Sequence, residues 1–139
     1  MGASAPCRAR SGLAPGAAPF DLAGGDVPAE VQALSSIDGV RIHGHVPDLQ
    51  PWLDGCRISV APLRYGAGVK GKVNQAMAHG LPVVATTPAV EGMHLVDGQD
   101  VLVADAAAGF ADAVLRLHDD EALWQRIAAN GRANVARHF

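Results

Sequence analysis

From residue 19 onward, short apolar runs alternate with longer amphipathic segments, and Gly, Pro or Asp separates them. The runs at 82–86 and 101–104 are almost continuously apolar, which is typical of strands covered by helices on both faces. Parallel strands also need a crossover, usually a helix, between one strand and the next. The alternation therefore predicts an α/β fold, a Rossmann-like parallel sheet with helices on both faces.

Individual elements follow from the same periodicities. Strands are predicted at 20–23, 40–43, 57–62, 82–86 and 101–104, and helices at 29–35, near 48–53, at 69–79, after Asp105 and from Asp119 onward. In the helix at 69–79 the predicted apolar face consists of Val69, Val73, Ala76 and Met77, with Gly80 as its stop. In the last two helices the predicted inward-facing residues are Phe110, Ala113, Val114 and Leu117, then Leu123, Ile127 and Ala128.

Length and composition limit the organisation of the chain. With 139 residues, 49% of them hydrophobic, the chain can bury one ordinary core. We predict a single domain over 19–139, preceded by a disordered or vestigial leader over 1–18. This leader has no apolar core of the length that a secretory signal requires. The alternative, that 1–18 is sequence upstream of a truncated domain, stays open.

Charge and cysteine usage argue against several classes of function. Eleven Lys and Arg against fourteen Asp and Glu give a net charge of −3, without a basic stripe, so nucleic acid is not an expected partner. No apolar stretch approaches the roughly 20 residues of a membrane-spanning helix, so no transmembrane segment is expected. Cys7 and Cys56 lack metal-site spacing, and a reduced, cytoplasmic setting is expected.

The segment 61–84 has the order strand, glycine-rich turn, helix, glycine stop, strand, and this order suits an anion. Glycines at positions 66, 68 and 71 allow backbone N–H groups to approach a diphosphate, and cations stand at 64, 70 and 72. Cations in the first turn of a helix oppose its dipole by about 0.3–1 kcal/mol each, so a negative ligand is expected there. A purely structural use of the glycines in a tight turn explains them equally well on this argument alone.

The letters APLRYGAGVKGKVNQAMAHGLPVVAT, followed by AVEGM, resemble the donor-binding segment of family 4 glycosyltransferases of the two-domain GT-B fold. Further stretches such as VRIHGHVPDL extend the resemblance over about residues 19–139, which would be that family's C-terminal half. The resemblance implies transfer of a sugar from a nucleotide-activated donor to an unknown acceptor, with retention of anomeric configuration. It also implies that no metal or other cofactor is required.

The resemblance assigns roles to particular residues. Arg64 and Lys72 would be the catalytic residues, because they would neutralise the charge that builds up on the leaving diphosphate. Donor-binding residues would be Gly44, His45 and Val46 at the nucleobase, and Gly66, Gly68, Val69, Lys70, Gly71, Gln75 and Glu91 around the rest of the donor.

The chain departs from the family's pattern in its residues and in its extent. Many relatives have a pair of glutamates at the donor, and Gln75 and Ala67 occupy those positions here. Gln75 can still accept from a ribose hydroxyl, whereas contact of the sugar with Ala67 is not expected. The resemblance also implies an acceptor-binding N-terminal domain, which we expect to be missing from this chain. We therefore expect this chain alone to bind the donor without transferring sugar, and any membrane association to depend on the missing domain. The alternative is a non-catalytic nucleotide-binding or remnant module.

Three other patterns favour structural roles. His43 and His45 would share one face of a strand, but without a ligand cluster we expect ordinary hydrogen-bonded histidines and no metal site. The glycines at 24–25 lack the full spacing of a dinucleotide fingerprint. The carboxylates at 119–121 stand at a predicted helix start, where capping accounts for them better than catalysis does.

Overall fold

The computed structural model describes residues 2–7, 19–66 and 68–139, with residues 2–7 described by their backbone alone. The strands are β1 (Gly2–Cys7), β2 (Phe20–Ala23), β3 (Val40–Gly44), β4 (Cys56–Ala61), β5 (Val83–Ala85) and β6 (Leu102–Val103). The helices are α1 (Ala29–Gln32), α2 (Gln50–Gly55), α3 (Gly71–Ala78), α4 (Thr87–Val90), α5 (Ala107–Asp119) and α6 (Glu121–His138), with a 3-10 turn at Ala33–Ser36 after α1.

The six strands form one sheet in the order β3-β2-β1-β4-β5-β6. β2 and β3 pair in parallel, as do β4 with β5 and β5 with β6, whereas β1 runs antiparallel to both of its neighbours. The order is that of doubly wound nucleotide-binding sheets, in which successive strands are added first on one side and then on the other. The predicted Rossmann-like α/β class is confirmed, with the difference that one strand is reversed.

The reversed strand lies within the segment 1–18, where we expected a leader. Gly2 pairs with Ala23 of β2, and Ala3 pairs with Val60 of β4, so β1 is an inner strand of the sheet. Its residues, GASAPC, are small and have little strand propensity, so they give no periodic signal. The hydrogen-bonded neighbours on both sides define this strand, and such neighbours are not visible in a local pattern. Residue 1 and residues 8–18 lie outside the described part of the chain.

Helices cover both faces of the sheet, and β5 shows the division most clearly. Val84 belongs to a core cluster with Leu117 of α5 and Ile127 of α6, whereas Val83 and Ala85 belong to a second cluster with residues of α2, α3 and α4. Successive residues of a strand point to opposite faces, so one three-residue strand contributes to both cores. The apolar run at 82–86 was predicted to form a strand covered by helices on both faces, and this prediction is confirmed.

The apolar face predicted for α3 is correct at three of its four positions. Val73, Ala76 and Met77 are buried, but Val69 is 53% exposed. The helix begins at Gly71, so Val69 belongs to the preceding turn and does not share the helical periodicity. The glycines of that turn, rather than the apolar pattern, therefore determine where the helix starts.

The start of α6 agrees with the capping interpretation of the acidic residues. The Asp120 carboxylate accepts a hydrogen bond from the backbone N–H of Leu123, the usual contact of an N-cap side chain.

Further along, α6 packs against α3 at Gly131, where an added Cβ would lie 3.2 Å from Cγ of Met77. The C-terminal part of α6 is thereby held close to α3.

Candidate functional site

The carboxyl ends of the five parallel strands meet at one edge of the sheet. Beside β4 the order of strand addition reverses, since β2 and β3 lie on one side and β5 and β6 on the other. Open α/β sheets bind their ligands outside the carboxyl ends of the strands at such a point. The segment that follows β4 at this position is the glycine-rich turn at 62–70.

The conformation of this turn depends on its glycines. Gly68 has φ +75° and Gly66 has φ +155°, both unfavourable for residues with a side chain. A Cβ at Gly66 would also lie 3.1 Å from Cε of Lys70. The Lys70 ammonium donates to the carbonyl oxygen of Gly68 at 2.5 Å. Lys70 therefore shapes the turn with its side chain, a role that the sequence pattern did not indicate.

The turn leads into the N-terminus of α3, which no side chain caps. The carbonyl of Lys70 accepts from the backbone N–H groups of Val73 and Asn74. The N–H groups of Gly71 and Lys72 precede these bonds and have no partner within the helix. Both residues are exposed.

Two cations at this end of α3 are available to a ligand. Arg64 and Lys72 are exposed, and no ion pair involves either of them within the described residues. Gln75 is also exposed and lies one turn further along α3. An uncapped helix N-terminus with exposed cations is the arrangement that binds phosphate groups.

The segment after α4 contacts the same helix end. The backbone N–H of Lys70 donates to Sδ of Met93 at 3.3 Å, and Met93 is completely buried. Glu91, a predicted donor-binding residue, is exposed and precedes this contact by two residues. The structure thus brings the segment at 91–93 against the start of α3.

The loop predicted for the nucleobase lies at the same edge, on the other side of β4. Gly44 ends β3, His45 is exposed and Val46 is half-buried. The N–H of Gly24 donates to the carbonyl of Gly44 at 2.7 Å, and a Cβ at Gly25 would lie 3.9 Å from Cβ of His45. The loops after β2 and β3 therefore touch. Within the described residues, no hydrogen bond or ion pair joins them to the turn at 62–70, and Ala67 of that turn lies outside the described residues.

Two threonines after β5 form hydrogen bonds, one of them to the start of the turn at 62–70. The Thr86 hydroxyl donates to the carbonyl of Leu63 at 2.5 Å, which ties the start of the turn to the end of β5. Thr87 donates through its backbone N–H and its hydroxyl to the Asp105 carboxylate. These two hydrogen bonds lower the pKa of Asp105 from its ordinary value. Sequence reasoning missed these hydrogen bonds, because the two partners of each bond are 18 residues or more apart.

A buried ionic group lies between β2 and β3. Asp21 is 1% exposed and accepts from Nε of Arg41 at 2.7 Å, while Nε2 of His43 lies 2.8 Å from the same carboxylate oxygen. The His43 ring also lies 4.3 Å from the Trp52 ring, centroid to centroid. His43 is therefore a hydrogen-bonded histidine, as predicted. Within the part of the chain that the structure describes, no three His, Cys, Asp or Glu residues form a group that could hold a metal ion.

Burial of Asp21 raises the pKa of its carboxyl, but the hydrogen bonds from Arg41 and His43 outweigh that effect and leave the pKa below the ordinary value of 3.8. A depressed folded-state pKa contributes stability above the ordinary value, and this contribution disappears as the pH falls through the folded-state pKa. We therefore expect the free energy of unfolding to decrease as the pH falls below about 4.

Replacing Asp21 with asparagine should lower the free energy of unfolding at pH 7 by about 1–3 kcal/mol and flatten its dependence on pH in acid. Urea titrations of both proteins between pH 3 and pH 7, in steps of about one unit, measure the two effects. Asp112→Asn, at an exposed position on α5, is the matched control and should leave both quantities unchanged. If the free energy of unfolding of Asp21→Asn decreases in acid as steeply as that of the unmodified chain, Asp21 is not the source of this pH dependence.

The strand order defines a doubly wound, Rossmann-like class of α/β fold. A sequence profile of the family described as glycosyl transferases, group 1, matches residues 8–120, most of the chain. The chain belongs to the group 1 glycosyl transferases. The resemblance noted in the sequence is thereby confirmed, and with it the enzyme class by family membership.

Several solved structures share the fold of this chain. The chain is similar to sucrose-phosphate synthase from Thermosynechococcus elongatus, with 24% identity and a TM-score of 0.72, covering 86% of this chain and 34% of that one. It is also similar to the C-terminal domain of the group 1 glycosyl transferase LpcC from Francisella tularensis, with 22% identity and a TM-score of 0.65, covering 78% of this chain and 58% of that one.

A third similar structure is HepE from Anabaena, solved in complex with UDP and glucose, with 17% identity and a TM-score of 0.70, covering 86% of this chain and 36% of that one. At these identities the likeness shows the fold. The chain spans about a third of the length of sucrose-phosphate synthase and of HepE. Comparison with curated protein sequences finds no match. None of the helices in the described residues has both the length and the apolar character needed to cross a membrane.

Proposed function

We propose that this chain binds the nucleotide-activated sugar of a glycosyl transfer reaction, with the donor's diphosphate at the turn at 62–70 and the N-terminus of α3. The observation that carries the proposal is the uncapped start of α3, where exposed Arg64 and Lys72 accompany backbone N–H groups without helical partners. A diphosphate would supply the negative charge that this cation placement lacks.

Each group at the turn has a separate role in this proposal. Arg64 and Lys72 neutralise the charge that develops on the diphosphate as it leaves the sugar, which is electrostatic stabilisation of a transition state. The backbone N–H groups of Gly66, Gly68, Val69 and Gly71 act as fixed donors, whereas that of Lys70 donates to Sδ of Met93. Lys70 keeps the turn in shape through its bond to Gly68.

The nucleoside part of the donor extends along the edge toward β3. We assign the nucleobase to the loop at 44–46, which the contact with the loop at 24–26 holds in place. Gln75 accepts from the ribose, and Glu91 contacts the donor from the segment after α4. HepE, which has a similar fold, was solved with UDP and glucose bound, and this supports a nucleoside diphosphate sugar as the class of ligand.

The finer features of the reaction are also proposals. We propose transfer with retention of configuration and without a metal, since Arg64 and Lys72 can balance the diphosphate charge that a cation would otherwise balance. The acceptor surface would belong to a further domain. Any association with a membrane would also occur through that domain, from a cytoplasmic location. This chain by itself would then bind the donor without transferring sugar, because the two reactants are not brought together.

A second candidate is a non-catalytic nucleotide-binding or remnant module, and the glutamine and alanine at positions 75 and 67 favour it. A thermal-shift screen with UDP, GDP and ADP, each beside its own nucleoside, tests the binding proposal that both candidates share. Stabilisation by at least one diphosphate beyond its nucleoside supports it. No stabilisation by any of the three would contradict it. A transfer assay on a two-domain protein that contains this chain separates the enzyme from the remnant.

The assignment of the ribose to Gln75 has its own test. Gln75→Glu should strengthen binding of the ribonucleoside diphosphate by about 0.5–1.5 kcal/mol, because a charged acceptor forms stronger hydrogen bonds than a neutral one. Calorimetry with the 2′,3′-dideoxy analogue is the control, since it carries the same diphosphate and meets the same added charge. Equal changes for the two ligands would show that position 75 does not face the ribose.

A further inference from the structure

We infer that Asn134 is a positioning residue for the diphosphate-binding turn, an inference that rests on the proposed function. Asn134 lies on α6 and is 7% exposed. Its side-chain amide donates to the carbonyl oxygen of Met93 at 2.9 Å. This bond connects the C-terminal helix to the segment after α4.

Met93 transmits this contact to the start of α3. Its Sδ accepts from the backbone N–H of Lys70, and the carbonyl of Lys70 accepts from the first two hydrogen-bonded N–H groups of the helix. A thioether is a weak acceptor on a flexible side chain, so it does not fix its own position. The bond from Asn134 fixes the backbone of Met93 and thereby limits where Sδ can lie.

The position of Asn134 itself is well determined. One turn earlier on α6, a Cβ added at Gly131 would lie 3.2 Å from Cγ of Met77 and 3.4 Å from the carbonyl oxygen of Asp100. The backbone of α6 is therefore already close to α3 and to the loop before β6, with little room to shift. A buried amide is unfavourable unless it is hydrogen-bonded, so an apolar side chain would serve packing alone equally well. The hydrogen bond to the carbonyl oxygen of Met93 therefore explains why position 134 has an amide side chain.

The same helix provides a matched control. The Asn130 amide, one turn before Asn134, donates to the carbonyl of Gln99 at 2.8 Å. The bond has the same chemistry and also joins α6 to the chain between α4 and β6. Within the described residues, no hydrogen bond links Gln99 to the start of α3. We therefore expect loss of the Asn130 bond to leave the conformation of the turn at 62–70 unchanged.

The test compares Asn134→Leu with Asn130→Leu in calorimetric titrations against UDP and against uridine. Asn134→Leu should weaken binding of UDP by about tenfold and leave the affinity for uridine unchanged, since only the diphosphate contacts the turn. Asn130→Leu should change neither affinity. Equal weakening for UDP and uridine, or the same weakening in Asn130→Leu, would overturn the positioning role. If the leucine variant does not fold, Asn134→Ser is measured in its place with the same expectation.

A ligand-free measurement separates this inference from the proposed function. In amide NMR spectra, loss of the Asn134 bond should shift the Lys70 resonance, whereas loss of the Asn130 bond should not. A shifted Lys70 resonance in a chain that binds none of UDP, GDP and ADP would leave the positioning role standing and reject the proposed function. An unshifted resonance would reject the positioning role whether or not UDP binds.

Discussion

Replacing Lys72 with alanine is expected to weaken binding of a nucleoside diphosphate by about tenfold to 150-fold. Lys72 is exposed in the first turn of α3 and takes part in no ion pair within the described residues. Its ammonium is therefore free to form a charge-assisted hydrogen bond, which contributes about 1.5–3 kcal/mol, to a diphosphate oxygen. Calorimetric titration of the folded variant measures the loss.

Arg116→Ala is the control for the removal of one positive charge. Arg116 is exposed on α5, which packs on the opposite face of the sheet from α3. Its loss should change the affinity only slightly, because charges at that distance are screened by salt. Unchanged affinity in folded Lys72→Ala, or an equal loss in Arg116→Ala, would show that the diphosphate does not bind at the start of α3.

Replacing Leu117 with alanine is expected to lower the free energy of unfolding by about 2–5 kcal/mol. Leu117 is completely buried on α5 and packs in the core cluster that includes Ile58 and Val60 of β4. Truncation removes buried apolar surface and leaves a cavity that a close-packed sheet and helix cannot fill. Urea titration followed by circular dichroism measures the change.

Leu115 is the matched control, because it is the same residue on the same helix and is 56% exposed. Leu115→Ala should change the free energy of unfolding by no more than about 0.5 kcal/mol. Similar losses at 115 and 117 would mean that α5 does not present this face to the sheet. The comparison tests the placement of α5 without relying on an absolute stability.

Local periodicity predicted most of the helices and the parallel strands, because burial repeats every two residues in a strand and every 3.6 in a helix. The apolar run at 82–86 correctly indicated a strand covered on both faces. β1 was missed, since its small residues have no such period and its hydrogen bonds go to strands distant in sequence. Val69 was misplaced because the apolar period continues past the real start of the helix at Gly71.

The candidate site was predictable only in part. Glycines and cations close together in sequence indicated the turn and the helix end, and the structure places them at the edge where such sheets bind ligands. The side-chain role of Lys70, the Asp21 group and the bond from Asn134 to Met93 were not predictable. The Asp21 group and the bond from Asn134 depend on residues that folding brings together from separate elements, as Asn134 and Met93 are 41 residues apart. The bond from Lys70 to Gly68 is local, but it depends on the conformation of the turn.

We have proposed that the turn at 62–70 and the start of α3 bind the diphosphate of the donor. Amide NMR spectra of the ¹⁵N-labelled chain, recorded during titration with a nucleoside diphosphate that stabilises it, test this location residue by residue. We expect the largest shifts at the amides of Gly68, Gly71 and Lys72, and much smaller shifts there when the corresponding nucleoside replaces the diphosphate. Largest shifts on α5, or shifts at these amides equal for nucleoside and diphosphate, would contradict it.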